Sequence, residues 1–248
     1  MALRRLRADL HIHTCLSPCG ELTMSPRTVV AGARAAGLDL IAVTDHNTTE
    51  NAAAVIEAAA GTGLAVLPGI EMTSSEEVHI LGLFEAGTDL GPFQAEVFRN
   101  LPDVPSKMKF VNDQVIVDAA DYVTGFSPRC LFGATLFSVQ ATVDLIHGFG
   151  GLAIACHVDR ESFSIISQLG FIPPGLKLEA VEISSRLTVA AAESALGPFD
   201  PLPVVRFSDA HKPEEIGAAT TEFFVAGPSL AEIRRALAGE DGRRVIVS

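Results

Sequence analysis

Short apolar, β-branched runs alternate with alanine-rich stretches along most of the chain, and this alternation narrows the possible folds more than any other feature. Strands separated by helical stretches need crossover connections, which build a mostly parallel sheet covered by helices. The strand candidates are Ala8–His13, Leu38–Thr44, Leu64–Glu71, His79–Phe84, Leu152–His157, Ala180–Ser184 and Val204–Ser208, with Glu222–Val225 and the final Arg243–Ser248 stretch as further ones. Between them, Ser25-Pro26 opens a helix over Arg27–Ala36 that Gly37 stops, and Thr48 or Thr49 opens Glu50–Ala60. Ser138 opens Val139–Phe149, and Ser229 with Glu232 forms a capping box ahead of Ile233–Ala238. Seven or so strands in one unit predict a closed or nearly closed barrel, an open sheet being the alternative. At 248 residues the chain has the length of a single α/β barrel domain, and residues 1–248 are read as one.

One interval breaks the rhythm. From Gly91 to Phe137 the chain carries Pro92, Pro102, Pro105 and Pro128 among scattered aromatics, without a strand or helix period. So long an irregular stretch inside a compact domain reads as a surface excursion or as a lid over a site.

Composition excludes several classes. Apolar residues at 48% and charged residues at 19% exclude disorder, and no apolar run is long enough to cross a membrane. The basic start, Met1 to Arg7, lacks the apolar stretch of a secretory leader, so a cytoplasmic protein is expected. Cys15, Cys19, Cys130 and Cys156 are too few and too scattered for a disulfide framework and are read as reduced thiols. A net charge of −12 argues against a broad nucleic-acid or anionic-membrane footprint, so nucleic acid is an unlikely partner on this reading. A small anion held by a local cationic site remains compatible with it.

The histidines fall where an α/β barrel collects its chemistry, at the ends of strands. His11 and His13 share a strand face by alternation. The apolar run Leu40–Val43 delivers Thr44-Asp45-His46, and Leu67–Ile70 delivers Glu71, with His79 opening the next strand. His157 follows Ile154-Ala155-Cys156, and Asp209 and His211 share a face beyond Val205–Ser208. A lone buried histidine is ordinarily a packing residue, but five strand ends all bearing His, Asp or Glu point to metal ligation. His147, inside a helix, is read as packing or surface. Asp45 is open to three roles: orienting an imidazole, joining the metal shell, or acting on a proton. Arg160 has the planar fork that fits two phosphate oxygens. Asp45 and Arg160 are the candidate catalytic groups, and Lys107, Lys109 and Arg129 are further cations that could close over a phosphate.

The ordered motifs Asp9-Leu10-His11-Ile12-His13, Thr44-Asp45-His46, Gly69-Ile70-Glu71, His79, His157 and Asp209-Ala210-His211 resemble the PHP (polymerase and histidinol phosphatase) family of metal-dependent phosphoesterases. The resemblance spans the chain apart from Gly91–Phe137. It implies a distorted (β/α)7 barrel with two or three divalent metals, typically zinc, manganese or iron. It implies a first metal on His11, His13, Glu71 and Asp209. Glu71 would bridge to a second on His79 and His157, and a third would take His46 and His211. In one place this chain departs from the family's pattern. Where relatives carry an Asp or His shortly after the HxH motif, this chain has Thr14-Cys15-Leu16-Ser17-Pro18-Cys19, so that either Cys19 substitutes or the third metal is weak or absent.

A bound divalent cation lowers the pKa of its water from 15.7 to about 7 and so provides hydroxide without a dedicated base. The expected activity is hydrolysis of a phosphomonoester of a small metabolite, such as a nucleotide, sugar or histidinol phosphate. The alternatives are a phosphodiesterase or exonuclease acting on short nucleic acid, or an inactive metal-binding regulatory module.

Overall fold

The computed structural model describes residues 2–103, 113–197, 199 and 201–247. Lys107 and Lys109 lie outside the described residues. In chain order the strands are β1 (Arg4–Ile12), β2 (Leu40–Val43), β3 (Ala65–Thr73), β4 (His79–Leu83), β5 (Val115–Val117), β6 (Val123–Phe126), β7 (Leu152–Ala155), β8 (Ala180–Ile183), β9 (Val204–Arg206), β10 (Thr221–Val225) and β11 (Arg244–Val247). The α-helices are α1 (Pro26–Ala35), α2 (Ala52–Ala58), α3 (Gly91–Arg99), α4 (Val139–Gly148), α5 (Ile165–Leu169), α6 (Val189–Leu196) and α7 (Leu230–Leu237).

The main sheet runs β11-β10-β1-β2-β3-β4-β7-β8-β9. Beyond β9 the chain returns to the end of β1 through a parallel Ile12–Ala210 bridge, with His13 N donating to Ala210 O at 2.9 Å. That contact nearly closes the sheet into the expected distorted barrel. A regular count of seven parallel units does not describe it, because β4 is antiparallel to both β3 and β7 and β10 is antiparallel to β1. No helix among the described residues is long and apolar enough to cross a membrane.

Strand sequences follow from their burial. β2, Leu-Ile-Ala-Val, is buried at every position because helices cover its outer face and the barrel interior covers the other. The interior holds Leu6, Leu40, Leu67, Leu81, Ile154 and Phe207, while Ile41, Val43 and Val66 pack outward against α1 and α2. Gly69 lets β3 approach its neighbours closely: a β-carbon there would stand 2.8 Å from Thr44 Cγ2 and 2.9 Å from the Gly82 carbonyl oxygen. The end of β3 is thereby fixed against both flanking strands.

The 91–137 interval contains more order than its sequence shows. It begins with α3, whose Phe93 is fully buried with ring centroids 4.9 Å from Phe84 and 5.3 Å from Phe149. β5 and β6 pair as a small separate hairpin sheet, and Val115 and Val117 pack on Cys15. The helix escaped sequence reading because only Phe93 and Val97 mark an apolar face between Gly91-Pro92 and Arg99. Phe93→Ala is expected to cost about 3–5 kcal/mol of stability by urea denaturation, the range for a buried phenylalanine. An unchanged midpoint would mean that α3 does not belong to the core.

Candidate metal centre

The inward rows of the barrel strands are apolar through their length and polar at one rim. β2 leads from Leu40 and Ala42 to His46 beyond its end, β3 from Leu67 and Gly69 to Glu71, β8 from Ala180 to Glu182, and β9 from Val205 to Phe207 and Asp209. β4 runs the other way, so its amino end, His79, lies at the same rim. Alternation along each strand thus brings these side chains above one apolar layer.

β1 departs from this rule. Leu6, Ala8 and Leu10 face the interior, so simple alternation would point His11 and His13 outward. The register with β2 shifts by one residue between Asp9 and Ile12, and this bulge reverses the parity. Ile12 then packs outside with Ile41 and Val43, while both histidines turn inward. His157 is turned by its backbone, with φ of 29° directly after the inward-facing Cys156.

Glu71, buried to 1% exposure, occupies the centre. Its Oε2 lies 3.5 Å from His11 Nε2, 3.3 Å from His13 Nε2 and 3.0 Å from His46 Nδ1. Its Oε1 lies 2.7 Å from His79 Nδ1 and 3.2 Å from His157 Nε2. Asp209 Oδ1 approaches His11 Nε2 at 3.3 Å and His13 Nε2 at 3.0 Å. The donor atoms of His11, His13, Glu71 and Asp209 all lie within 4.8 Å of one another, as do those of His13, His46 and His211.

The hydrogen bonds around the site determine which nitrogens are free to ligate. His11 Nδ1 faces both oxygens of the fully buried Glu182 at 2.9 and 3.1 Å, to which it donates. Ser17 Oγ donates to Asp45 Oδ1 at 2.6 Å, so it accepts from His13 Nδ1 at 2.8 Å. In the neutral rings both Nε2 atoms then carry lone pairs directed at carboxylate oxygens. Such an arrangement is repulsive unless a proton or a cation lies among them. His11 Nε2, His79 Nδ1 and His157 Nδ1 are buried without a hydrogen bond. The residues therefore fit divalent metal, and the imidazole and carboxylate donors suit zinc, iron or manganese.

The pKa shifts express the same field. Burial depresses His46 and His79, and burial together with the nearby His13 pushes His211 down to about 4. At His11 and His13 burial is overcome by carboxylates: Glu182, Asp209 and Glu71 hold His11 well above its usual range, and Asp209 and Glu71 raise His13 to about 9. Burial would raise Glu71 and Asp209, but the imidazoles around them hold both well below the ordinary carboxylate range.

All eight expected metal-site residues meet at this rim. The Asp45 carboxylate does not point at the cluster; it accepts from Thr14 N and Thr14 Oγ1 at 2.7 Å and from Ser17, so it acts on His13 at one remove. Arg160 is at the site, its Nη2 2.6 Å from Asp209 Oδ2, beside a cavity of about 430 Å³ lined also by Cys19, Arg186, Ser208 and His211. Cys19 Sγ lies 3.0 Å from His211 Nε2. Arg129 pairs with Asp103 at 3.6 Å, and His147 with Glu179 at 3.1 Å. Sequence reading missed Glu182, although a lone carboxylate between Val181 and Ile183 on a buried strand was its signal. It also missed Ser17 and Asn47, whose signals are only their neighbours.

The chain belongs to the PHP family of metal-dependent phosphoesterases, hydrolases acting on phosphoester bonds: the model of the PHP domain matches residues 9–123 and that of the PHP-associated segment residues 201–240. Over 80 residues it is 40% identical to the 5'-3' exoribonuclease Rnm of Salmonella typhimurium, a match covering 30% of this chain and 26% of that protein. Its fold is similar to the lesion-specific endonuclease EndoQ of Pyrococcus furiosus, with a TM-score of 0.76 and 17% identity over 98% of this chain and 58% of that one. It is also similar to an Endonuclease Q complex with a 27-mer duplex bearing an abasic lesion at the active site, with a TM-score of 0.73 and 17% identity over 97% of this chain and 58% of that one. The matched stretches span half or less of the curated relatives' length.

These likenesses correct one expectation. The acidic composition makes nucleic acid an unlikely partner and the metal-site pattern makes a small phosphorylated one the expectation, whereas the relatives named here are nucleases. Net charge describes the whole surface, and screening confines that charge to about 8 Å at physiological salt, so it says little about a buried cation site.

Glu71→Gln is expected to lower metal content as well as activity, since the carboxylate faces both imidazole sets. Glu182→Gln, which keeps its volume, is expected to weaken metal affinity about 10–100-fold by competition with a chelator. Wild-type affinity in Glu182→Gln would exclude its role in orienting His11.

Proposed function

We propose that this chain is a metal-dependent phosphodiesterase acting on nucleic acid. The observation that carries this reading is the buried Glu71 carboxylate with imidazole nitrogens on both of its oxygens. That arrangement is suited to adjacent cations. The nucleic-acid substrate is supported by the likeness to an exoribonuclease and to a lesion-specific endonuclease.

Two or three ions of the zinc, manganese or iron class would be held: one by His11, His13, Glu71 and Asp209, one by Glu71, His79 and His157, and a third by His46 and His211. When bound, such ions supply an activated water at neutral pH and neutralise charge on phosphoryl oxygens. The chain's own groups do the rest. Glu182 fixes the His11 tautomer, and Asp45 acts through Ser17 to fix that of His13. Arg160 is the phosphate clamp, its guanidinium held at the cavity wall by Asp209 with Nε unpartnered. Residues 1–248 act as one barrel domain, with 91–137 as an insertion beside the site.

The test is a comparison of metal-reloaded protein on end-labelled single-stranded RNA and DNA with the same protein on nucleotide monophosphates. Oligonucleotide cleavage that chelation abolishes and manganese or zinc restores is expected. Turnover of monophosphates alone would refute the proposal. Arg160→Ala is expected to raise KM for the oligonucleotide about tenfold, and Arg160→Lys to recover only part, because lysine lacks the two-pronged fork. An unchanged KM in Arg160→Ala would remove it from substrate binding.

A further inference from the structure

Phe132 stands beside the metal centre with 53% of its surface exposed, its ring centroid 6.4 Å from that of His46 and edge-on to it at 78°. The residue before it, Leu131, is fully buried against Leu16 and Leu101. Asn47, the neighbour of His46, donates from Nδ2 to the carbonyls of Leu131 and Gly133, both at 2.9 Å. The backbone on each side of Phe132 is therefore strapped down and its side chain is held out. Asn47 is itself tightly fixed. It is buried, its φ is 51°, its Oδ1 accepts from Thr73 N at 3.1 Å, and its carbonyl accepts from Gln94 Nε2 at 3.2 Å. A left-handed conformation is uncommon outside glycine, though asparagine tolerates it best. It persists here because these four partners, and the Glu71 carbonyl that accepts from Asn47 N at 2.9 Å, determine it. Phe163, another aromatic at this rim, lies stacked on His79 at 4.6 Å and is half-buried. The ring of Phe132 meets that of His46 edge-on, leaving its faces unstacked by any ring among the described residues.

A phenyl ring held out of the core at the lip of a phosphoester site has the chemistry of a stacking surface. Successive bases of single strands stack on such aromatics whatever their identity. We propose that Phe132 stacks an unpaired nucleobase next to the phosphodiester being hydrolysed, with Asn47 as the residue that positions it. The substrate class is then nucleic acid that is single-stranded or locally unstacked, because the faces of a base within a duplex are already covered. This inference rests on the nucleic-acid reading above and adds to it the state of the strand.

The test uses manganese-loaded full-length protein with two probes: a short single-stranded oligonucleotide carrying 2-aminopurine, and a base-free sugar–phosphate oligomer of the same length. Phe132→Ala is expected to raise KM for the oligonucleotide about tenfold, equivalent to about 1.4 kcal/mol and within the range for stacking one base. Its kcat, and both constants on the base-free oligomer, are expected to stay as in wild type. Phe132→Trp is expected to retain low KM, and 2-aminopurine fluorescence to be quenched by wild type and Phe132→Trp but not by Phe132→Ala. An unchanged KM in Phe132→Ala, or an equal rise on both oligomers, would overturn the stacking role and leave the nuclease reading intact. Wild-type protein that cleaves neither oligomer would overturn both.

Discussion

The structure is organised around a carboxylate in a place where a carboxylate is costly. Removing Glu71 from water carries a desolvation penalty of several kcal/mol, recovered only if opposite charge or donors surround it closely. Five imidazoles converge on it, from His11 in β1, His13 just past β1, His46 beyond β2, His157 beyond β7 and His79 opening β4, so that protons or cations shared among them supply that charge. The imidazoles in turn are held by groups set behind them: Glu182 behind His11, and Ser17 with Asp45 behind His13. Removing any one partner leaves buried charge or an unpaired donor. The polar rim is therefore one coupled unit resting on an apolar barrel.

The barrel makes this unit possible by changing chemistry along a single inward row. Leucines and alanines fill the interior, and the next inward position at the rim is His46, Glu71, Glu182 or Asp209. Where the row would miss, the backbone is altered. The bulge between Asp9 and Ile12 turns His11 and His13 inward, and the positive φ at His157 does the same after Cys156. Both irregularities fall at the site, where a departure from regular structure has a use.

This explains how far the sequence could be read. Strand candidates and rim residues were legible because buried strands are continuous apolar runs, and a His or Glu at their ends has no packing reason. That His11 and His13 share a face follows from alternation, but which face does not, because the deciding bulge depends on pairing with β2, distant in sequence. Glu182 was passed over since one carboxylate among Val181 and Ile183 has meaning only once His11 is seen against it. The order in Gly91–Phe137 was hidden for a different reason: α3 has few apolar positions, and β5 and β6 are too short to establish a period. Substrate class failed for a third reason, since composition averages over a surface that the site does not sample.

Some of the geometry is nevertheless local. β3 and β4 form a hairpin joined by the turn from Ser74 to Val78, in which Thr73 pairs with His79 and Glu71 with Leu81. Glu71 and His79 are thus diagonal neighbours on one face, at a separation long side chains can span. The reversal of β4, which spoils the regular barrel, is what allows two residues so close in sequence to meet at one rim. A parallel β4 would need a crossover and would deliver its amino end to the opposite side. The irregular topology and the central carboxylate's contact with His79 are therefore the same fact. Asn47 extends the connection to the insertion, accepting from Thr73 on this hairpin and donating to Leu131 and Gly133. Through that side chain the segment least legible in the sequence is tied directly to the strands that hold the site.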